Sequence, residues 1–462
     1  MSLEQLSGTD SALLALETPT SPMQVLGVLV LDPTADEAAY SFERLRATID
    51  ERVHLMPPFC RQLRPVPLHL DRPYWEPVLD INIDAHLSRV VAPQPGDWRT
   101  LGDLVGEIAS TLLPRDRPLW HVTVVEGLAD GRVAIVARIH HATLYGATGV
   151  EFMAQLLDFD PDGRTVDPPP DVEIPSYSLL DVLSHTAVHQ AGLPLRAGTA
   201  LLRGVQRIAA ETIGRLRGAE GSVSLPSFAP STALNGPLTE RRLTAFRRVA
   251  LDDVKQVKDY YGCTVNDVVL AATAYAMRLH LLKNGFDVTK QPVASCPTSQ
   301  GGAQVAGADR LGVMSVPLPV DIEDPVEQLR TVQAATVEAK ASDPLAGDLL
   351  PTLADLIPAM VLVGGGQMYS RLGLARMHPP MASMVVSNMA GPPLQLYLAG
   401  ARIEAIFPFG PLLMSMGVNL TVLSDQGQLD VGVLTCPDVV GDPWQIADGF
   451  VEGVTRLLET SG

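Results

Sequence analysis

Two adjacent histidines, His140 and His141, end an apolar run in the segment RIHHATLYGATG, residues 138–149. Imidazole changes its charge near neutral pH, so a histidine fixed at a strand end can act as a general base. Adjacent side chains on a strand point to opposite faces, and only one of the two rings can therefore face a given cleft. Taken alone, the pattern favours the simpler alternative, a packed or partly exposed pair without a catalytic role.

Three further segments combine polar or aromatic side chains with a defined local structure. Their residues of interest are Pro118, Leu119, Trp120, Asn266, Asp267, Ser387 and Asn388. The PLW segment precedes a strand, where it can serve as an apolar anchor. Thr264 and Asp267 have the spacing of a helix capping box, and Asn388 can bond its own Gly-Pro turn. Because each segment has a purely structural explanation, none of the three indicates function by itself.

The elements that position the histidines are predicted from hydrophobic spacing. Residues 22–31 form a continuous apolar run, which is typical of a buried strand. A β-rich run at 120–126 and an Asp-Gly turn lead into a second strand that ends at His140. Helical spacing follows Gly149. We therefore expect the order strand, histidine loop, helix.

The chain of 462 residues is long enough for two domains and their connections. The segment 158–177 is rich in Pro and Asp and lacks periodicity, which is typical of a linker. One or two amphipathic helices, broken near Pro194, are predicted for 178–216. Further predicted elements are helices at 42–53, 265–283 and 444–459, and strands at 311–320, 383–387, 403–407, 415–423 and 428–435. We expect a first domain over 1–160, a linker and helical insert over 161–237, and a second domain over 238–462.

The composition is that of an acidic globular protein. Apolar residues make up 46% and charged residues 19% of the chain, and the net charge is −18. This charge argues against broad nucleic-acid binding, and any polyanionic ligand needs a local positive patch. The four cysteines form no CxxC pair, which indicates neither a zinc ribbon nor a disulfide scaffold. No segment reaches the roughly 20 apolar residues of a membrane-spanning helix, and the start lacks a signal-peptide pattern, so a cytoplasmic protein is expected.

Six separated motifs occur in a fixed order along the chain. They are PMQV, PLW, HHATLYG, PSTALNGP, NDVVLA and SNMAGPP. With these motifs the chain resembles the bacterial wax ester synthase/diacylglycerol acyltransferase family, from Leu6 to Leu458. That family is similar to the wider group of CoA-dependent acyltransferases, which share an HHxxxDG signature. The resemblance implies an α/β (α+β) fold of two chloramphenicol-acetyltransferase-like domains, joined by a long crossover, with a tunnel at their interface.

The activity that this resemblance implies is O-acyl transfer from a fatty acyl-CoA. The acceptor is diacylglycerol, which gives triacylglycerol, or a long-chain alcohol, which gives a wax ester. His141 matches the family's catalytic histidine and would act as the general base, while His140 would support the strand. Positions that would line the substrate or the tunnel are Pro118, Leu119, Trp120, Asn266, Asp267, Ser387 and Asn388, and the two asparagines are also candidates for stabilising the oxyanion. The resemblance implies no metal and no cofactor, with acyl-CoA as a substrate.

The histidine motif departs from the family at Tyr145, where HHxxxDG has an aspartate, whereas Gly146 matches. In the wider group this aspartate is structural and pairs with an arginine. Removing one partner of a buried ion pair costs roughly 3–5 kcal/mol, so the arginine must be lost or find another acceptor. Two outcomes follow: a repacked loop with His141 still poised, or a weakened relative that binds lipid or a protein partner. The first motif, PMQV, also departs from the family pattern, because it has Gln24 where the family often has histidine.

The basic segment ERRLTAFRR supplies candidate ligands for the CoA phosphates. These are Arg241, Arg242, Arg247 and Arg248, and the alternative is an ordinary solvated basic face. The insert at 178–216 could rest on a membrane or lipid-droplet surface, or it could cover the second domain. Condensation of carrier-bound acyl groups uses a similar double-histidine motif, but the PLW and NDVVLA segments favour the first family.

Overall fold

Helices and strands alternate along both halves of the chain. The computed structural model describes residues 4–33, 40–144, 149–169, 177–191, 228–299, 311–341, 368 and 377–461. The helices are α1 (Gly8–Leu16), α2 (Phe42–Arg52), α3 (Trp98–Ala109), α4 (Gly149–Leu156), α5 (179–191), α6 (Leu251–Tyr261), α7 (Val265–Lys283), α8 (Pro325–Ala341) and α9 (Pro443–Glu459). The strands are β1 (Glu4–Gln5), β2 (Gln24–Asp32), β3 (Arg61–Arg64), β4 (Tyr74–Pro77), β5 (Leu87–Val91), β6 (Trp120–Glu126), β7 (Val133–His140), β8 (Leu243–Ala250), β9 (Val293–Ser299), β10 (Leu311–Pro317), β11 (Met384–Ala390), β12 (Tyr397–Leu398), β13 (Ala401–Phe409), β14 (Val418–Asp425) and β15 (Gln428–Thr435).

The first large sheet contains the strand that carries the histidines. Its strand order is β12-β13-β2-β7-β6-β5, and β7 pairs antiparallel with both neighbours. Alternate residues of β2 enter two different apolar clusters, with Val28 and Val30 on one face and Leu29 and Leu31 on the other. Both faces of the sheet are therefore covered, which explains why β2 is apolar throughout and not alternating.

The second large sheet is built from the later part of the chain. Its order is β10-β9-β11-β14-β15-β8, with parallel pairing of β9 with β11 and of β11 with β14. Helices α7 and α9 pack against each other, and α9 also packs on β8. A third, small sheet has the order β1-β4-β3. The expected α/β fold with two sheet-containing halves is confirmed.

Close packing of α3 against β8 joins the two halves. A Cβ atom at Gly102 would lie 2.9 Å from the carbonyl oxygen of Thr244, and one at Gly106 would lie 2.6 Å from that of Arg242. Only glycine permits such an approach of helix and strand backbones. Thr244 also donates a hydrogen bond from its hydroxyl to the Gly102 carbonyl at 2.8 Å.

Strand β13 joins the second half of the chain to the first sheet. Residues Ala401–Phe409 come from the second half of the chain, yet they pair antiparallel with β2 in the first sheet. Sheet membership and chain order therefore differ at this segment. The insert predicted over 178–216 is seen as α5, and its remainder lies outside the described residues. Within the described ranges, no helix combines the length and the apolar character needed to cross a bilayer.

Candidate active site

Strand β7 delivers the two histidines to different environments. His140 is its last residue and is 1% exposed, and its backbone N–H donates to the Leu119 carbonyl at 2.9 Å. His141 begins a 3₁₀ turn over His141–Leu144, and its backbone N–H donates to the Met23 carbonyl at 2.8 Å. His141 as a whole is half-buried. The pair lies at the end of a strand, as the spacing predicts, and only His140 is sealed from solvent.

The ring of His140 is held between two groups. The N–H of Ala142 donates to Nδ1 at 3.1 Å, so this nitrogen acts as an acceptor. Nε2 lies 3.4 Å from Oε1 of Glu17, an ion-pair distance without the alignment of a strong hydrogen bond. Glu17 follows α1, is 4% exposed in its side chain, and accepts a 2.8 Å bond from Arg115. This arrangement directs the ring proton of His140 toward Glu17.

Burial and neighbouring charges set the pKa values of Glu17 and His141. Burial raises the pKa of Glu17, but the hydrogen bonds and charges of His140 and Arg115 outweigh it and hold the pKa below its ordinary value of 4.5. Burial lowers the pKa of His141 below 6.5, and the charge of His140 lowers it further, against a hydrogen bond within His141 itself. His141 is therefore neutral at pH 7, the state that a general base requires.

Gln24 and Arg138 attach the histidine strand to the end of α3. Gln24 lies directly opposite His140 in the β2–β7 pair, and its Nε2 donates to the carbonyls of Ala109 and Thr111 at 3.1 and 2.8 Å. Arg138 donates to the Thr111 carbonyl at 3.0 Å. Gln24 thereby satisfies the Ala109 carbonyl at the end of the helix, and both side chains hold the Thr111 carbonyl just after it. The glutamine that departs from the family pattern thus has a supporting role of its own.

The PLW segment is buried and packs beside the histidines. Leu119 shares a small apolar cluster with Ala142, and its carbonyl accepts the backbone bond from His140. Trp120 donates from Nε1 to the Phe59 carbonyl at 3.0 Å and stacks on His86 with ring centroids 4.1 Å apart. Pro118 is buried next to them. These contacts give the segment an anchoring role in the described structure.

The NDVVLA and SNMAGPP segments lie in the second half. Both carboxylate oxygens of Asp267 accept hydrogen bonds from protein groups, one from Thr264 at 2.7 Å and the other from Thr336 at 2.7 Å. Asp267 therefore caps α7 and ties it to α8. The remaining polar side chains are half-buried and have no hydrogen-bond partner among the described residues; they are Asn266, Ser387 and Asn388.

The four arginines of ERRLTAFRR have separate environments. Arg241 is exposed, whereas Arg242 is buried and donates to the Thr20 carbonyl of the first half at 2.6 Å. Burial lowers the pKa of Arg242. Arg247 bonds Asp448, and Arg248 bonds Asp430, each at 2.7 Å. Arg242 is thus engaged in joining the halves, and the other three reach the protein surface.

Part of the predicted site lies outside the described residues. The two residues concerned are Tyr145 and Gly146. Within the described ranges, no group of three or more His, Cys, Asp or Glu side chains is placed to hold a metal ion. The sequence analysis did not identify Glu17 or Arg115 as site residues. Each is simply a charged residue at the end of an apolar stretch, far from the histidines in the sequence.

Solved structures with the same fold were found by structural comparison. A wax ester synthase/diacylglycerol acyltransferase from Marinobacter aquaeolei VT8 aligns with a TM-score of 0.68, 24% identity, and coverage of 99% of this chain and 100% of that chain. The starter condensation domain of rhizomide synthetase, in a mutant bound to C8-CoA, aligns with a TM-score of 0.52, 13% identity, and coverage of 100% and 95%. At these identities the likeness shows the fold alone, which is that of two chloramphenicol-acetyltransferase-like domains.

Sequence comparisons show the family. Two Mycobacterium tuberculosis proteins from strain CDC 1551, whose names assign them diacylglycerol O-acyltransferase activity as a prediction, are 36% and 32% identical to this chain. They cover 99% and 100% of it, and 91% and 97% of their own lengths. The family model "Wax ester synthase/diacylglycerol acyltransferase catalytic domain" matches residues 6–269, and the model "WS/DGAT C-terminal domain" matches residues 308–457. The chain therefore belongs to the wax ester synthase/diacylglycerol acyltransferase family, and it is an acyltransferase.

Proposed function

We propose that the protein transfers a fatty acyl group from acyl-CoA to the hydroxyl of diacylglycerol or of a long-chain alcohol, with His141 as the general base. The observation that carries this proposal is the state of His141. Its backbone is fixed by the Met23 carbonyl, the residue as a whole is half-buried, and its pKa lies below 6.5. The names of the two mycobacterial relatives support diacylglycerol as one acceptor.

The proposed reaction needs one proton carrier and no covalent enzyme intermediate. The neutral ring of His141 accepts the proton of the acceptor hydroxyl while that oxygen attacks the thioester carbonyl. The tetrahedral intermediate collapses, the C–S bond breaks, and the imidazolium returns its proton to the departing thiolate. The products are the ester and CoA. Asn266 and Asn388, whose amides have no partner in the described part of the chain, are the proposed donors to the oxyanion or the substrate, together with Ser387.

The location of His141 supports access from the seam between the halves. Met23, which holds the His141 backbone, follows closely after Ser21 in the chain. The hydroxyl of Ser21 donates to the Leu412 carbonyl of the second half at 3.0 Å. The proposed passage for the two substrates therefore runs along this seam. Pro118, Leu119, Trp120 and Asp267 would act there by fixing the walls, because their contacts are with the protein.

Both proposed acceptors are lipids, so contact with a membrane or lipid-droplet surface is part of the proposal. Three large apolar side chains, Leu68, Leu180 and Val188, are strongly exposed. Their segments adjoin, since Gln190 of α5 donates to the Leu70 carbonyl at 3.0 Å. Exposed apolar side chains on adjoining segments support an interfacial contact.

The assignment of His141 is tested by substitution and by pH. His141→Ala should lower the rate of ester formation by roughly 10²–10⁴, the scale of a lost general base. In the wild-type protein, kcat/KM should fall only as the pH drops below 6.5, because the lowered pKa keeps His141 neutral down to that range. The measurement is ester formation from labelled palmitoyl-CoA with diolein or hexadecanol.

Tyr260→Ala is the control, because Tyr260 carries an exposed ring on α6, outside both the proposed site and the exposed apolar segments. Its rate should equal that of the wild-type protein. Unchanged turnover in His141→Ala would refute the general-base role. Binding of palmitoyl-CoA without ester formation by the wild-type protein would instead support the alternative of a weakened, lipid-binding relative.

A further inference from the structure

A cleft of about 440 Å³ lies at the seam between the two halves, at the opposite end of α3 from the histidines. Its walls come from the start of α3, from β8, from β13 and from the start of α9. The lining residues are Asp97, Trp98, Arg99, Phe246, Arg247, Arg248, Phe407 and Trp444. This volume falls in the range of ordinary small-molecule sites.

One wall of the cleft is a cluster of four aromatic rings. Phe246 stacks on Phe407 with centroids 4.7 Å apart, and both are almost fully buried. Trp98 meets Phe246 and Phe407 edge-on at 5.5 and 5.8 Å, and Trp444 lies 5.4 Å from Phe246. Trp98 is 37% exposed, so the cluster presents one large ring to solvent. An exposed ring on a rigid aromatic base is a stacking platform for a planar ligand.

Three arginines surround the same rings. The guanidinium groups of Arg99 and Arg247 lie 5.0 and 4.5 Å from the centre of the Trp444 ring. Arg99 is exposed; its charge and its backbone N–H act on Asp97, and no side-chain hydrogen bond is seen for its guanidinium among the described residues. Arg247 and Arg248 each bond a carboxylate through Nε, and Arg247 also donates from Nη1 to the Phe246 carbonyl. Further N–H groups of these guanidiniums therefore stay available for an anionic ligand.

The charged side chains that line this cleft are mostly cationic, although Asp448 and Asp430 pair with two of them. The protein carries a net charge of −18, yet three arginines and one aspartate line the cleft. The aspartate, Asp97, is already engaged as the cap of α3, since it accepts from the backbone and hydroxyl of Thr100 at 2.8 and 2.9 Å. Guanidinium groups are the usual partners of phosphate, and a ring platform beside them suits a base.

The geometry points to a nucleotide-binding site in this cleft, with the base stacked on Trp98 and the phosphates bound by Arg99, Arg247 and Arg248. Two sources share this chemistry: the nucleotide end of CoA and a free nucleotide. Helix α3 has 12 residues and so spans about 18 Å from the cleft to the carbonyls beside Gln24 and Arg138. CoA also has its nucleotide and its thioester at opposite ends. The CoA assignment rests on the proposed function, whereas the nucleotide site does not.

The site is tested by nucleotide binding to the full chain. Adenosine 3′,5′-bisphosphate should quench tryptophan fluorescence in a saturable manner, because two of the four tryptophans, Trp98 and Trp444, line the cleft. The double variant Arg99→Ala/Arg247→Ala should weaken the affinity at least tenfold. Trp98→Phe should keep the binding, measured by calorimetry, and lose most of the fluorescence change.

Arg456→Ala is the matched control, an exposed arginine on α9 that pairs with Glu452 and Glu459 away from the cleft. Its affinity should equal that of the wild-type protein. The inference is overturned if the bisphosphate does not bind, if the double variant binds as tightly as the control, or if adenosine without phosphate binds equally well.

Acyl-transfer kinetics identify the source of the nucleotide. If CoA is the ligand, the double variant should raise KM for palmitoyl-CoA at least tenfold with little change in kcat, and CoA should compete with the bisphosphate. If a free nucleotide is the ligand, KM should be unchanged and CoA should not compete. Failure of the nucleotide-site proposal can be distinguished from failure of the proposed function. Normal acyl transfer without nucleotide binding rejects only the nucleotide site in the cleft. Nucleotide binding without any acyl transfer rejects only the proposed reaction.

Discussion

At the scale of single residues, the two histidines of the motif differ in what surrounds them. His140 is enclosed by the Ala142 N–H and by Glu17, and Glu17 is in turn held by Arg115. His141 has a fixed backbone and is only partly buried. His140 is therefore placed to hold the shape of the turn, and the buried carboxylate of Glu17 fixes its ring. The partial burial of His141 suits the proton exchange that we propose for it.

The Glu17–His140 contact should make stability depend on pH in a defined direction. The folded-state pKa of Glu17 is lowered, so its ionised form is favoured by folding. This contribution is complete above the ordinary pKa of 4.5 and is lost as the pH falls through the lower folded-state value. Glu17→Gln should therefore unfold more easily than the wild-type protein at pH 7, and the difference should shrink below pH 4.5. Urea unfolding at several pH values measures it, and a difference that does not change with pH would contradict this view.

The sequence could indicate His141 but not its supporting residues. The double-histidine spacing and the strand before it are local patterns, which neighbouring residues make visible. The partners Glu17, Gln24 and Arg115 reach the histidines only through strand pairing and the placement of α1, so no local pattern connects them. The placement of Asp267 along the tunnel rests on the family resemblance alone and stays a prediction. Its capping contact with Thr264, by contrast, is visible in the local spacing.

At the scale of elements, buried polar contacts fix segments that have little regular structure. Arg52, at the end of α2, bonds Asp158 at 2.8 Å, and both side chains are 5% exposed. Asp158 follows α4 and pairs through its backbone with Tyr397 of β12. The start of the predicted linker is therefore attached at once to a helix of the first half and to a strand of the second. The Pro- and Asp-rich composition predicted an irregular segment but could not predict this attachment.

Breaking the Arg52–Asp158 pair on one side should destabilise the fold strongly. Asp158→Ala leaves a buried guanidinium without its carboxylate, for which a loss of roughly 3–5 kcal/mol in the free energy of unfolding is expected. The double variant Arg52→Met/Asp158→Ala should lose less, because no charge is then left unpaired. The matched control is Asp84→Ala, which removes an exposed partner of Arg46 and should change stability little. Equal losses in the single and double variants would show that the charge itself is not the cause.

At the scale of the whole molecule, the two halves share one core. A single buried cluster contains Val28 and Val136 of the first sheet, Leu101 of α3, and Phe246 and Val433 of the second sheet. Strand β13 reinforces this by pairing with β2 while it contacts β14 and β15. The strand at 403–407 is visible in the sequence, but its partner is not, because an apolar β-run specifies a strand and leaves its pairing to tertiary structure.

Because the core is shared, the two halves should unfold together. Phe407 of β13 is 1% exposed and lies between Trp98 of the first half and Phe246 of the second. Phe407→Ala should cost about 3–5 kcal/mol, the usual range for a buried phenylalanine. Amide hydrogen exchange should then show an equal loss of protection in β7 of the first sheet and β14 of the second, since both open only in the global transition. A loss confined to one sheet would mean that the halves are separate cooperative units, and the seam that lines the cleft would then be free to open without unfolding either half.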